Sequence, residues 1–392
     1  MRITRRLVQL GLLSLTLIGV YAIGGHAERW CPFGGVEALY TYSTAGNLIC
    51  SLGVSNFYIL AAVLLATLLL RRAFCGYACP LGTISEWLQA GARRVGLRAW
   101  RVPARFDRVL SLLKYAVLGL VLYFTWRAGE LIFRGFDPCY ALISRHGTDI
   151  TLWAYVVAGG IVLASLLIMV PFCRWLCPLA AVLNPLSRIG LARVQRDSAA
   201  CLDCGKCDRA CPMAIPVAHV NQVTAARCTA CLECIAACPK AAAGALRWGP
   251  PRSLGGRWPQ PVAIGLLLVC IGGAIAATYA LPLPSFVHNR GQVPAQTATL
   301  SLRVRGVVCR HSSEQFVQYL QRTDEFALRG YLRIEAWPEP STATVQITFD
   351  PTRTNEAALK RAITEPQYDV TTSAWKFSPY KIDGYNPLDA DD

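Results

Sequence analysis

The sequence predicts an α-helical integral membrane protein with an internal repeat, an inserted cysteine-rich module and a C-terminal βαββαβ domain. Three observations carry that expectation. Of the 392 residues 54% are hydrophobic and 16% charged, with a mean hydropathy of +0.36, against about 25% charged in an ordinary soluble domain. Apolar runs of membrane-crossing length recur five times along the chain. The 17 cysteines cluster at gaps of two or three residues instead of scattering as in a secreted disulfide framework, which points to metal or redox ligation.

The five apolar segments are residues 7–25, 55–70, 109–126, 150–172 and 261–281, read against a hydrocarbon core of about 30 Å and a rise of 1.5 Å per residue. Lys114 lies in the first turns of the third, where a lysine can extend to the interface. Arginines set the orientation. Arg2, Arg5 and Arg6 precede the first span, and residues 71–108 and 173–260 are rich in arginine, whereas residues 24–54 hold only Arg29. The positive-inside rule then places the N-terminus in the cytoplasm of a bacterial inner membrane and, after five spans, the C-terminal domain in the periplasm. Up to Ala280 there are 27 basic and 11 acidic residues, and beyond it 12 and 13. The basic excess thus follows the membrane segments and reads as topology, not as nucleic-acid binding. A competing reading takes residues 4–27 as a cleaved signal peptide, since TRRLVQLG resembles a twin-arginine signal; four further spans favour a retained helix.

The repeat joins Phe74–Leu88, FCGYACPLGTISEWL, to Phe172–Leu186, FCRWLCPLAAVLNPL, at a constant offset of 98. Each copy follows an apolar span, and across that span lies an outer loop with a cysteine, Cys31 or Cys139. Spans one and two are therefore expected to be duplicated as three and four, with both C-x3-C-P elements on the cytoplasmic face. Proline disfavours helix in the residue before it and suits a first helical turn, so Cys79 and Cys177 are expected at helix N-termini, where a thiol pKa falls. Arg71, Arg72 and Arg174 would act the same way. Together Cys75, Cys79, Cys173 and Cys177 could form an additional redox or metal site, either a third cluster or a bound metal; the alternative is small buried cysteines at helix turns. Cys31 and Cys139 are candidates for pairing, metal binding or electron acceptance, with Cys50, His26 and His146 near them in sequence, and Cys270 is a packing residue.

The strongest signal is C-x2-C-x2-C-x3-C-P, complete twice: Cys201, Cys204, Cys207 and Cys211 before Pro212, and Cys228, Cys231, Cys234 and Cys238 before Pro239. Three thiolates of a tight loop converge on one cubane while the fourth cysteine reaches the other. Cys201, Cys204, Cys207 and Cys238 are therefore assigned to one [4Fe-4S] cluster, and Cys228, Cys231, Cys234 and Cys211 to a second. Structural zinc sites do not usually show this cadence.

This double motif, with C-G-Y-A-C-P-L-G and C-R-W-L-C-P-L after membrane spans, resembles the membrane polyferredoxin family. That family includes the quinol-side subunit of periplasmic nitrate reduction, the membrane protein that supports nitrous-oxide reductase and the copper-handling accessory protein of cbb-type oxidase. The resemblance covers about residues 7–281 and implies electron transfer between the cytoplasm or quinone pool and an extracytoplasmic metalloenzyme or other redox client. The chain departs from the nitrous-oxide protein in lacking a recognisable extracytoplasmic flavin-binding domain before the spans, and from the oxidase accessory proteins in lacking their long immunoglobulin-like tail.

From Gln296 the order is strand, helix, strand, strand, helix and a final strand near Tyr368, with alternation at Leu300, Leu302, Val304 and at Val345, Ile347, Phe349, the pattern of a ferredoxin-like unit. Its loop GVVCRHS resembles that of heavy-metal-associated domains, G-M-x-C-x-x-C. Cys309 matches the first cysteine, Ser312 stands at the second, and His311 is the replacement ligand for an ion such as Cu(I); a purely structural or docking role is the alternative. The expected domains are residues 1–196 (four spans), 197–247 (2[4Fe-4S] ferredoxin module), 248–285 (linker and fifth span) and 296–392. The leading function is membrane-bound iron-sulfur electron transfer. The alternative is a copper or heavy-metal reductase or assembly factor for a periplasmic metalloenzyme.

Overall fold

The computed structural model describes residues 2–22, 31–45, 55–97, 99–128, 135–143, 150–251, 256–308, 310–321, 326–338, 341–369 and 374–385. They form two compact units. One comprises Met1–Glu37 and Ser55–Tyr279, the other Ala38–Val54 and Ala280–Asp392.

The repeat is visible in the first unit as two matching series of helices. The first is α1 (Arg2–Tyr21), α2 (Pro32–Ala45), α3 (Ser55–Leu70), α4 (Ala73–Tyr77) and α5 (Pro80–Arg94). The second opens with α6 (Ala104–Leu110) and α7 (Leu113–Ala128), then α8 (Pro138–Ile143), α9 (Leu152–Leu167), α10 (Pro171–Trp175) and α11 (Pro178–Ile189). The halves interlock: α5 packs on α1 and α9, while α11 packs on α7 and α3. At the ends of α3 and α9 the chain turns sharply through non-glycine residues with positive φ, Arg71 (61°) and Val170 (41°). Such a conformation costs of order 1–3 kcal/mol, and it sets α4 and α10 at the mouths of the two helices.

Among the described residues three helical stretches are long and apolar enough to cross a membrane: Arg2–Tyr21, Ala104–Arg127 and Gln260–Ala280, the last being α14. Two of the five expected spans, α3 and α9, are apolar but only 16 residues long, about 24 Å of helix. Each is followed by a break into a short helix, α4 or α10. Lys114 does not extend to an interface. It is 2% exposed, packed inside the helices.

Between α11 and α14 runs the cysteine-rich module, closed by β1 (Arg193–Arg196) and β2 (Leu246–Gly249), which pair antiparallel. These strands bracket the module slightly outside the boundaries drawn at 197 and 247. Inside it lie two short helices, α12 (Lys206–Ala210) and α13 (Glu233–Ala236). Apolar side chains of the module, including Met213, Ile215 and Val223, share one core with Leu70, Ala73 and Tyr77. Buried polar groups reinforce that seam. Asp107 is 3% exposed and binds Arg174, Trp175 Nε1 (2.9 Å) and the module's Arg227. Arg5 donates to the Gly76 carbonyl (3.0 Å), to Glu86 (2.6 Å) and to the module's Glu233 (3.2 Å).

In the second unit an antiparallel sheet runs in the order β3-β5-β6-β4-β9, from β3 (Phe286–Arg290), β4 (Ala298–Arg305), β5 (Leu332–Trp337), β6 (Ala343–Phe349) and β9 (Lys381–Ile382). Leu302, Val304, Ile334, Val345, Ile347 and Phe349 face α15 (Arg310–Leu320) and α16 (Glu356–Thr364), which supply Phe316, Leu320, Leu359 and Ile363 to the core. Two features differ from the sequence expectation. The last strand of the sheet is Lys381–Ile382, whose Ile382 and neighbour Tyr380 are buried; Gln367–Asp369 (β7) instead forms a hairpin with Ala374–Lys376 (β8). Strand β3, whose FVHNR carries little alternation, adds an outer edge.

Asp107→Ala is expected to cost about 3–5 kcal/mol, because it leaves the largely buried Arg174 without its carboxylate. The check is thermal unfolding of the purified protein in detergent. An unchanged midpoint would remove Asp107 from the network that anchors the module.

Candidate iron-sulfur centres

The module is itself a duplication, with an offset of 27. Asp203 and Ala230 have positive φ (47° and 48°), as do Gly205 and Leu232 (both 62°), the residues that cap α12 and α13. Glycine adopts this conformation freely, whereas the buried Leu232 is held in it by packing. These turns wrap each C-x2-C-x2-C loop around a cavity. One cavity, with about 360 Å³ of atom-free space, is lined by Cys201, Cys204, Cys207 and Cys238. The other, of the same size, is lined by Cys211, Cys228, Cys231 and Cys234. The cysteine that ends each short helix thus faces the cavity of the opposite loop. No carboxylate lines either cavity; Arg196 and Lys240 join the first and Thr229 the second in a mostly aliphatic lining, so four sulfurs are the available donor set, one that fits a cubane iron-sulfur cluster.

Burial pushes the Cys207 and Cys231 thiols up to about 11 and Cys211 up to about 12. They are therefore protonated at neutral pH until iron displaces the proton. Cys204 is exposed, while Cys207 and Cys234 are buried. Among the described residues no three His, Cys, Asp or Glu side chains gather around a single-ion position, where tetrahedral geometry would bring sulfurs within about 4 Å of one another.

The C-x3-C-P cysteines form a second gathering. Cys79 and Cys177 cap α5 and α11, each followed by proline in the first turn, as the sequence predicts. The Leu81 and Gly82 amides face the Cys79 sulfur, and the Ala180 amide faces Cys177. Cys75, Cys79, Cys173 and Cys177 lie within electrostatic reach of one another. A Cβ placed on Gly82 would meet Cys79 Cβ at 3.7 Å and Cys173 Sγ at 3.9 Å. Cys139 packs with Cys79 and Cys177, and Cys31 with Cys75 and Cys177, so the outer-loop cysteines join the same core. Of the three arginines expected beside these thiols, only Arg72 is there, with Nη2 3.8 Å from Cys75 Sγ. Arg71 is drawn away to the carbonyls of Val223 and Ala225, and Arg174 to Asp107.

The two gatherings touch. Gly76, inside the first C-x3-C, lies against Thr229, inside the C-x2-C of the second cavity; a Cβ on Gly76 would stand 2.8 Å from the Thr229 carbonyl oxygen. Tyr77 Oη donates to the next carbonyl, that of Ala230, at 3.4 Å. The sequence gives no sign of this contact, because the requirement for glycine at 76 comes from a residue 153 positions away.

Cys270 packs among Ile59, Ala62 and Ala274, as expected. His311 is exposed at the start of α15 and pairs with Gln315 (3.1 Å). Cys309, with Cys50, His26 and His146, lies outside the described residues, so the metal-loop reading of the C-terminal domain has no geometry to support it.

Comparison with known proteins gives matches in the same places. Residues 52–98 and 150–196 each match a family described as 4Fe-4S binding domain, and residues 193–239 match a 4Fe-4S dicluster domain. YccM of Escherichia coli, named as a candidate electron transport protein, is 30% identical over 51% of this chain and 57% of its own length. The methylamine utilization ferredoxin-type protein MauN of Methylobacillus flagellatus is 30% identical over 46% of this chain and 60% of its own. The ferredoxin-type protein NapH of Haemophilus influenzae is 29% identical over 54% and 74%. The matched stretch thus spans little more than half the length of the first two of these relatives. No solved structure matches. The chain thus carries two stretches that match a 4Fe-4S binding domain and one that matches a 4Fe-4S dicluster domain, and it is similar to ferredoxin-type and electron transport proteins.

Proposed function

We propose that the chain is a multi-pass inner-membrane electron carrier whose dicluster module exchanges electrons with a thiolate centre in the helical core, and through it with an extracytoplasmic acceptor. The observation that carries this reading is the approach of Gly76 to Thr229, which joins the C-x3-C-P loop to the loop of the second cavity. Bound at the two cavities, [4Fe-4S] clusters supply one-electron transfer without proton or bond changes. Cys201, Cys204, Cys207 and Cys238 hold the outer cluster, near the surface through the exposed Cys204. Cys211, Cys228, Cys231 and Cys234 hold the inner one. Cys75, Cys79, Cys173 and Cys177 form the third centre.

The remaining residues position these groups. Arg71 and Tyr77 grip the carbonyls of Val223, Ala225 and Ala230, and Arg5 spans Gly76, Glu86 and Glu233. All five apolar helices count as spans in this reading, the short α3 and α9 being completed by α4 and α10. The arginine-rich connections put the module in the cytoplasm and the C-terminal unit in the periplasm. The strand order of that unit supports a ferredoxin-like domain with one added edge strand, and its place after the last span suits it to dock a redox client. The quinone pool is the membrane-soluble partner of such a carrier.

Two outcomes are expected. Cys238→Ser should remove the cluster of the 201–207 loop, and Cys211→Ser that of the 228–234 loop, each variant losing one reduced-state EPR signal and the coupling between the two. If each variant instead lost the cluster of its own loop, the crossed assignment would fall. Gly76→Leu should leave the module's iron content intact while slowing, several-fold, reoxidation of the reduced module by a quinone analogue in nanodiscs. An unchanged rate would place the exit for electrons elsewhere.

A further inference from the structure

The helical core holds two cations that the reading above does not use. Arg72 is fully buried and Lys114 is 2% exposed. Arg72 Nη1 donates to Asn184 Oδ1 at 3.3 Å, its Nη2 faces Cys75 Sγ at 3.8 Å, and its Nε has no hydrogen-bond partner. Asn184 in turn donates to Tyr115 Oη at 3.0 Å, tying α11 to α7 beside Lys114. Lys114 forms no ion pair among the described residues. The charged and titratable groups around it are Arg72, Arg227 and the sulfurs of Cys173 and Cys177. Asp107 is taken by Arg174 and Arg227. Glu37 and Asp137 gather with Cys31 and Cys139, and Asp137 also lies within electrostatic reach of Cys177.

Two cations without a carboxylate in an apolar interior are costly, several kcal/mol each even after relaxation, and an ionisable group at membrane depth is retained for a function. Neutral thiols do not offset that cost. Four thiolates around an oxidised iron-sulfur core carry a net charge of about −2, which matches the pair. We propose that Arg72 and Lys114 are the charge-compensating residues of a thiolate-ligated redox centre at Cys75, Cys79, Cys173 and Cys177. This rests on the third-centre reading above. When one electron leaves the dicluster module for this centre, no proton moves and no bond breaks, so the added negative charge has to be met by charges already in place. Arg72 and Lys114 supply them, and they favour the reduced form over the oxidised one.

The test is iron analysis and an EPR-monitored redox titration of the full-length protein in nanodiscs, with dithionite as reductant. Lys114→Met is expected to keep its iron but to lower the reduction equilibrium of the core centre at least tenfold, about 59 mV for one electron. Lys114→Arg should stay near the wild type, and the two module clusters should not shift. Loss of the core centre's iron alone in Lys114→Met, restored in Lys114→Arg, is the same compensation seen in assembly. An unshifted core potential in both Lys114→Met and Arg72→Gln, with iron retained, would overturn the proposal. The prior reading fails separately: if a Cys79→Ser, Cys177→Ser double variant holds as much iron as the wild type and loses no EPR signal, there is no core centre to compensate.

Discussion

The close approach of Gly76 to the Thr229 carbonyl is the constraint on which the rest of the first unit depends. It requires a residue without a side chain in the turn between Cys75 and Cys79, and it requires that turn to stand at the end of α3. The left-handed turn at Arg71 achieves this, and the same arginine then grips the module through Val223 and Ala225. Arg5, almost fully buried, closes the other side by binding Gly76, Glu86 and Glu233 at once. Each of these groups would be expensive to bury alone; together they satisfy one another.

Duplication explains how so many cysteines converge. The offset of 98 places Cys79 and Cys177 at equivalent helix starts, and the interlocking of α5 with α9 and of α11 with α3 brings both to one core. Within the module, the offset of 27 repeats the left-handed turns and delivers the fourth cysteine of each loop to its neighbour's cavity. In both cases cysteines of one copy are brought beside those of the other. The sites are therefore properties of the paired fold and not of either half.

Much of this was legible in the sequence, and the reason is chemical. Cysteines at fixed short spacings group into two crossed sets of four, and those sets line the two cavities. Proline after Cys79 and Cys177 likewise announced two helix starts. What spacing could not reveal is partnership across long separations. Gly76 is explained only by Thr229, and the pull on Arg71 only by two carbonyls some 150 residues further on. Lys114 reads as an interfacial lysine in the sequence because the groups around it, including Arg72, Arg227, Cys173 and Cys177, lie far from it along the chain. The last strand of the sheet differs from the expectation because Tyr368 looks as apolar as Ile382, yet it is Lys381–Ile382 that pairs with β4, with Ile382 in the core of the unit.

The pairing of β1 with β2 has a mechanical consequence. It clamps the start and finish of the module together directly after α11 and shortly before α14, so the module is fastened at both ends to helices that pack in one unit. Such a pairing holds the two ends of the module side by side. Distances inside this unit are thereby set once, at folding. On the proposed function, a soluble partner of the cluster near the exposed Cys204 would meet it at a fixed surface.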